Sequence, residues 1–394
     1  MNYRFLFLPL FLLLYVSCTS SNDNSVEENA IATYELAKVD SIIVNFMEEI
    51  HLLDYDSERN IFLGYNQRSG DYIEFDQKGE ILNQVNLLGD GPNDHGGAGS
   101  YQVNYLGDGK IGVAGTARYF IYDNDWQLID KIDYQPMQGA YVIIAGGAIA
   151  YLTNSRPQAK NAMATTILGT GFFVLKKEDH KNPFLFSLDL KTADVIPYHF
   201  LPDSSLYLTS NTFYPGLADV IISYNYDRKV LELIHELEPV IYTYDLATNP
   251  PKLLSSTQFE YDNPNELKGV SYNVPMENLI GNTLYESLNQ IFTGFYSFGD
   301  KQLIQYRERK AGAELIGVNE TDQEKLREFR NSKANTWAYL IKDGKRISHD
   351  FLLAEPMIGL QLGNGQFLST NYIDPNFERD SQLFYIYELQ KVEN

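Results

Sequence analysis

Short apolar runs alternate with polar turns along most of the chain, and the runs repeat. The clearest copy lies in Asn60–Tyr134, where one unit is written nearly twice. Ile61 to Tyr65 is followed by a polar turn, Asp71 to Asp76, a turn at Lys78-Gly79, then Ile81 to Leu87. Lys110 to Ala114 is followed by a turn, Tyr119 to Asp123, a turn at Asn124-Asp125, then Leu128 to Tyr134. Runs of β-branched and aromatic residues bounded by Gly, Asn and Asp predict strands joined by tight turns. Both units share an aromatic-Asp step, at Phe75-Asp76 and Tyr122-Asp123.

Four further units extend the series. The third opens at Tyr141 to Ile144, continues through Ala148 to Thr153 and resumes at Pro183 to Asp189. The fourth holds Val220 to Tyr224, Val230 to Ile234 and Val240 to Asp245. The fifth holds Gln290 to Tyr296, Gln302 to Tyr306 and Trp337 to Ile341, and the sixth Met357 to Leu362, Gln366 to Thr370 and Leu383 to Glu388. Six phases result, set by Asp76, Asp123, Asp189, Asp245, the Lys342-Asp343-Gly344 turn and Glu388. The sixth unit runs out of chain after its third strand, while a surplus alternating stretch, Tyr34–Phe46, precedes the first. That surplus strand would complete the last sheet and seal a ring, which protects strand edges from pairing with other chains. Inner strands apolar on both faces, such as Phe120-Ile121-Tyr122, fit sheets packed by neighbours on either side. The predicted fold is therefore all-β, a six-bladed β-propeller closed by an N-terminal strand. The alternatives are seven blades or two separate β domains. Asn154–Asn182 and Ala311–Ser332 read as insertions, and Thr321 followed by Glu324 has capping-box spacing for a short helix in the second.

Composition adds an address. The chain of 394 residues has a formal net charge of -21, which repels phosphate backbones and speaks against nucleic acid as a partner. Its one cysteine, Cys18, excludes an intrachain disulfide. Phe5 to Val16 is almost wholly apolar, too short to span a bilayer comfortably, and has the proportions of a signal-peptide core. Ser17-Cys18 after that core resembles the bacterial lipobox, with Tyr15 where Leu is usual. The resemblance implies acylation of Cys18 and a membrane-lipid anchor, since each buried methylene contributes about 0.8 kcal/mol. Residues 1–17 are then a lipoprotein signal peptide, 18–33 a flexible acidic tether and 34–394 the propeller.

Chemistry-bearing motifs are few. Gly107 to Gly112 matches a dinucleotide-binding glycine pattern, but a strand follows it where a helix is needed, so Asp108-Gly109 reads as a hairpin turn. Asp123-Asn124-Asp125 lacks the Gly and terminal Glu of a calcium loop and reads as a turn. His235-Glu236 has Pro239 where a zinc-protease helix needs its second His. The six histidines are scattered. No catalytic constellation, metal site or cofactor is expected. Arg118, Arg156, Lys160, His180 and Arg228 stand at or near predicted loops and form the candidate anionic-ligand set.

The aromatic-Asp turns, the Gly89-to-Asn93 junction, the lipobox-like start and the size together resemble the six-bladed propeller lipoproteins of Bacteroidota, in the broad TolB-like and NHL-like group. The resemblance implies a cell-envelope protein, an outer-membrane lipoprotein displayed at the surface or facing the periplasm. It would be a monomeric ring that binds or scaffolds a protein or glycan, more a binder than an enzyme. The alternative is an envelope glycan hydrolase or lyase using carboxylates at the mouth of the channel.

Overall fold

The computed structural model describes residues 31–96, 103–114, 118–134, 165–169, 180–217, 219–225, 227–248, 250–263, 265–273, 284–318, 320–353, 358–363, 365–370 and 380–392. Strand β1 (Tyr34–Val44) comes first. β2 (His51–Asp56), β3 (Ile61–Tyr65), β4 (Asp71–Asp76) and β5 (Ile81–Asn86) then form an antiparallel sheet in chain order. β6 (Val103–Gly107), β7 (Lys110–Ala114), β8 (Arg118–Asp123) and β9 (Leu128–Asp133) form the second. The third has three strands, β10 (Thr165–Gly169), β11 (Leu185–Asp189) and β12 (Val195–His199). After helix α1 (Leu206–Thr209) and the two-residue β13 (Thr212–Phe213) comes the fourth sheet, β14 (Val220–Asn225), β15 (Val230–His235), β16 (Glu238–Asp245) and β17 (Lys252–Gln258). β18 (Val270–Ser271) pairs back to β13, and helix α2 (Leu284–Leu288) follows. The fifth sheet holds β19 (Ile291–Phe298), β20 (Lys301–Arg307), β21 (Thr336–Lys342), β22 (Lys345–Arg346) and β23 (Phe351–Leu352), with helix α3 (Gln323–Asn331) between β20 and β21. The last sheet is ordered β24 (Ile358–Gly363), β25 (Gln366–Ser369), β26 (Gln382–Lys391), then β1.

The repeating aromatic-Asp step has a local cause. Asp76 Oδ1 accepts the amides of Lys78 and Glu80, at 2.8 and 2.9 Å. Asp123 Oδ1 accepts those of Asp125 and Gln127, at 3.0 and 2.9 Å. Asp189 Oδ1 takes Lys191 and Thr192, and Asp245 Oδ1 takes Ala247. Each carboxylate thus closes the turn that reverses the chain into the outer strand. Register shifts at Glu74/Phe75, Ile121/Tyr122 and Thr243/Tyr244 bend the outer strand away just before three of these turns.

Burial falls from the middle of a sheet to its outer edge. All six residues of β15 are buried, whereas six of the seven residues of the outer β17 are exposed. Apolar clusters join each sheet to the next. Tyr65 and Tyr72 pack with Tyr105 and Trp126, Tyr119 and Ile132 with Phe186 and Leu188, and Leu185 with Leu231 and Leu233. Ile234 and Ile241 then pack with Phe292 and Ile304, Leu303 and Leu340 with Phe367, and Phe384 and Leu368 with Phe62 and Phe75 of the first sheet. The series of contacts returns to its start. The fold is all-β and propeller-like, with a few short helices.

The closing strand is in place. β1 pairs antiparallel with β26 from Tyr34↔Lys391 to Val44↔Gln382, with one irregularity between Lys38 and Asp40. Ile42 and Val44 are buried against Phe384 and Phe75, so the side chains that face inward carry the seal.

Three expectations are corrected. Five sheets, not six, reach four strands among the described residues; the third has three, and the strands expected at Tyr141–Ile144 and Ala148–Thr153 lie outside those residues. Asn154–Asn182 is not wholly an insertion, because it contains β10, which pairs with β11 along its length. The cap of α3 is Asp322 instead of Thr321: the Asp322 carboxylate accepts the amides of Glu324 and Lys325, both at 3.1 Å. A carboxylate accepts from the helix start more strongly than a hydroxyl.

Candidate functional site at the loop-bearing end

Antiparallel strands alternate in direction, so the connections after the first and third strands of a sheet lie at one end. Those after the second and fourth lie at the other. At the first end the connections are tight turns, from two residues at 108–109, 299–300 and 343–344 to six at 246–251. At the second end, 200–219 carries α1 and β13, 259–290 carries β18 and α2, and 308–335 carries α3. Every described helix therefore lies at one end. Two apolar clusters hold these segments, the first of them against the sheets. One joins Tyr207, Phe213, Tyr214 and Leu217 to Phe184 and Ile291; the other joins Leu284, Leu288, Ile316, Leu326 and Phe329.

Polar side chains gather beneath this cover. His199 ends β12 and His235 ends β15, and their Nε2 atoms lie 2.9 Å apart. His199 Nδ1 lies 2.7 Å from the Tyr244 hydroxyl. Both imidazoles are fully buried, and burial, reinforced by His235, holds the pKa of His199 well below the ordinary histidine value. Glu238, the first residue of β16, accepts from Ser205 Oγ at 3.1 Å, the Leu206 amide at 3.0 Å and the Tyr242 hydroxyl at 3.2 Å. This buried carboxylate ties the start of α1 to the fourth sheet. The Tyr207 hydroxyl donates to the Leu217 carbonyl at 2.7 Å and accepts from the Leu237 amide at 3.1 Å.

An acid pair stands beside the histidines. The Asp219 amide donates to Glu236 Oε2 at 3.2 Å, and the Glu236 amide donates to the Asp219 carbonyl at 3.3 Å. Burial first, then the Asp219 charge, pushes the Glu236 carboxyl well above its usual range. Asp219 is raised by burial and by Glu286. As a whole residue Asp219 is exposed. Arg307 Nη2 donates to Glu286 Oε2 at 3.3 Å in a part-exposed pair. Two carboxyls whose charges disfavour one another take up and release protons as a pair. Among the described residues, no cluster of three or more His, Cys, Asp or Glu side chains could hold a metal ion.

The candidate anionic-ligand set is only partly placed. Arg156, Lys160 and the lipid-attachment residue Cys18 lie outside the described residues. Arg118 opens β8 and forms an ion pair with Asp133 on the neighbouring β9. His180 is buried against Tyr207 and Phe213, at the loop-bearing end. Arg228 lies in the tight β14–β15 connection at the opposite end, where its guanidinium donates to buried Glu232 at 3.0 Å. The structure therefore does not bring Arg118, His180 and Arg228 together. The histidine pair was hidden in sequence because its members come from strands of different sheets, and the acid pair because Asp219 and Glu236 meet only once β14 and β15 pair in register. One signal was present: His199 and His235 each close an apolar strand, next to a turn.

No family model matches the chain, and no curated protein matches it. Among solved structures, the fold resembles a member of the DUF4221 family from Bacteroides vulgatus. That likeness has 14% sequence identity and a TM-score of 0.61, and covers 92% of this chain and 100% of the other. A candidate exported protein from Bacteroides fragilis is similar at 11% identity and a TM-score of 0.46, over 93% of this chain and 97% of the other. A PQQ-bound aldose sugar dehydrogenase from Streptomyces coelicolor is similar at 10% identity and a TM-score of 0.45, over 91% and 99%. At such identities the likeness is one of fold, and the fold it supports is an all-β propeller.

Proposed function

We propose that this chain is a cell-envelope lipoprotein whose propeller presents its loop-bearing end to a protein or glycan partner without doing chemistry on it. The observation that carries the proposal is the placing of every described helix and the long helix-bearing connections at one end of the sheets. Rigid sheets with variable connections at one end are a common way to build a recognition surface. The ring has six blades in this reading. Asp189 closes the turn after β11 as Asp76, Asp123 and Asp245 do after β4, β8 and β16, so β11 is a third strand and its sheet lacks a first strand among the described residues. Cys18 carries the acyl chains, and the acidic residues 18–33 are the tether.

Two experiments test this. Palmitate labelling is expected in the natural chain and absent in Cys18→Ala; label retained in that variant overturns the anchor. For the binding face, Glu324, Arg327 and Glu328 on α3 and Lys78 and Lys191 at the tight-turn end are all exposed. Alanine at the three α3 positions is expected to reduce partner recovery from detergent-solubilised envelope, and alanine at the two lysines to leave it unchanged. The reverse pattern overturns the assignment of the face.

The acid pair favours a second reading, hydrolysis or lysis of a glycan with Asp219 and Glu236 as the proton-handling groups. It requires glycan cleavage that Asp219→Asn and Glu236→Gln each abolish without unfolding the chain.

A further inference from the structure

Strand β20 reaches the loop-bearing end with two polar atoms that no described residue pairs. Gln305 is 2% exposed; its Nε2 donates to Thr293 Oγ1 at 3.1 Å, and its Oε1 has no partner. Arg307, the last residue of β20, donates from Nη2 to Glu286 Oε2, and its buried Nε has no partner. Successive side chains of a strand alternate, so Leu303, Gln305 and Arg307 share one face. Leu303 packs with Phe367, which makes this the face turned toward the last sheet.

β19 is shaped to take the glutamine. Its register with β20 slips between Phe292 and Gly294, so Thr293 is the extra residue of a bulge. A Cβ on Gly294 would stand 3.0 Å from Gln305 Cβ, 3.1 Å from Gln305 Cδ and 3.0 Å from Tyr296 Cε2. Glycine at 294 therefore lets the carboxamide lie across the innermost strand of the sheet, beside the Tyr296 ring. We infer that Thr293, Tyr296, Gln305 and Arg307 form a subsite for a neutral, hydroxyl-bearing sugar residue. This inference rests on the glycan side of the function proposed above and narrows it to four side chains.

The unpaired atoms select the ligand. A buried polar atom without a partner destabilises the free protein, and a ligand that pairs it recovers that free energy on binding. Turning the Gln305 amide over exchanges oxygen for nitrogen at the unpaired position. The group that answers it must therefore accept as well as donate, and a hydroxyl does both from one atom. Positions 305 and 307 are about 6.6 Å apart along the strand, which one sugar ring with its hydroxyls spans. Neighbouring charges turn ions away. The Glu286 and Glu236 carboxyls near Arg307 disfavour an anion, and the Arg307 guanidinium disfavours a cation. The half-buried Tyr296 ring offers an apolar face to sugar C–H groups. Thr293 is half-buried and the Arg307 side chain is 30% exposed, so the subsite is reached from their side, with Gln305 at its inner end.

Isothermal titration with maltose, cellobiose and xylobiose tests this on the full chain, on Gln305→Met and on Thr293→Val. At least one sugar is expected to bind the natural chain, and each substitution to weaken that binding about tenfold or more. Urea denaturation separates this role from a structural one. Gln305→Met removes an unpaired amide, so its stability is expected to equal or exceed that of the natural chain. Sugar binding unchanged in both variants overturns the subsite and leaves the glycan reading standing. No binding of any of the three sugars by the natural chain overturns the subsite and the glycan reading together. Should Gln305→Met fail to fold, Thr293→Val decides, since it keeps the shape of a half-buried side chain and loses only the hydroxyl.

Discussion

Asp123 and Gly79 show how much of the blade rests on single residues. Asp123 accepts two turn amides through one oxygen, so Asp123→Ala leaves both without a partner, while Asp123→Asn keeps an acceptor in place. Urea denaturation is expected to show a loss of about 1–2 kcal/mol for alanine and less than half of that for asparagine. Gly79 has φ +80° and a Cβ there would stand 1.9 Å from the Ile43 carbonyl oxygen, on the neighbouring sheet's outer strand. Gly79→Ala is therefore disfavoured twice, by its backbone and by its neighbour, and a loss above about 1 kcal/mol is expected in the same assay. Glu74 is a third case. This buried carboxylate accepts from Tyr105 at 2.7 Å, Trp126 at 3.0 Å and Asn83 at 2.7 Å, and Arg59 stands 3.8 Å away. Glu74→Leu would strand those three donors, while Arg59 keeps its ion pair with Asp56 at 2.6 Å, and each buried donor left unsatisfied costs about 1–3 kcal/mol.

At the scale of elements, β1 is the informative strand. Its two faces differ: Ile42 is 1% exposed and Ile43 is 55% exposed. Ile42→Ala removes packing from Phe384 and Phe75 at the seam of the last and first sheets, and should cost about 2–5 kcal/mol. Ile43→Ala, one residue on, should stay within about 0.5 kcal/mol. Equal losses at the two positions would mean that the strand does not seal the ring. α3 is held in a different way. Leu326 and Phe329 share one face of the helix and pack on Leu284, Leu288 and Ile316, away from the sheets' own cores. A satellite core of this kind can vary while the propeller beneath it stays intact.

For the whole molecule, the buried acids and histidines pull stability in opposite directions with pH. The folded pKa of Glu236 lies above its ordinary value of 4.5, so the folded chain binds more protons there, and stability is lost as pH rises above about 4.5 toward the folded value. The folded pKa of His199 lies below 6.5, so stability is present above 6.5 and is lost as pH falls below it. Between these limits the two slopes offset one another. Glu236→Gln removes the first and should uncover the second: unfolding free energy measured from pH 7 to 5 should fall more steeply with acid than in the natural chain. Parallel profiles would mean that Glu236 is ionised in the folded protein.

The aromatic-Asp turns, the strands at β3, β4, β7, β8 and β14 to β16, and the completion of the last sheet by β1 were all written in local pattern. A turn is closed by residues two to four apart, and a strand in the middle of a sheet shows its apolar run whatever lies beyond it. β2 and β17 escaped that pattern for opposite reasons. β2 carries Asp54, buried because its carboxylate accepts the Tyr105 amide of the next sheet at 2.8 Å, so a polar residue stands at a core position. β17 lies on the outer edge, where Leu253 and Leu254 are exposed and nothing enforces alternation. The loop-bearing end and its histidine pair were decided by tertiary structure alone. His199 meets His235 only after strands from separate sheets have packed, and that packing also supplies the burial that lowers the pKa of His199, whereas Asp219 and Glu236 flank the paired strands β14 and β15 of one sheet. Short-range periodicity holds no record of which strand ends will face each other, because that choice is made by the curvature and closure of the whole ring.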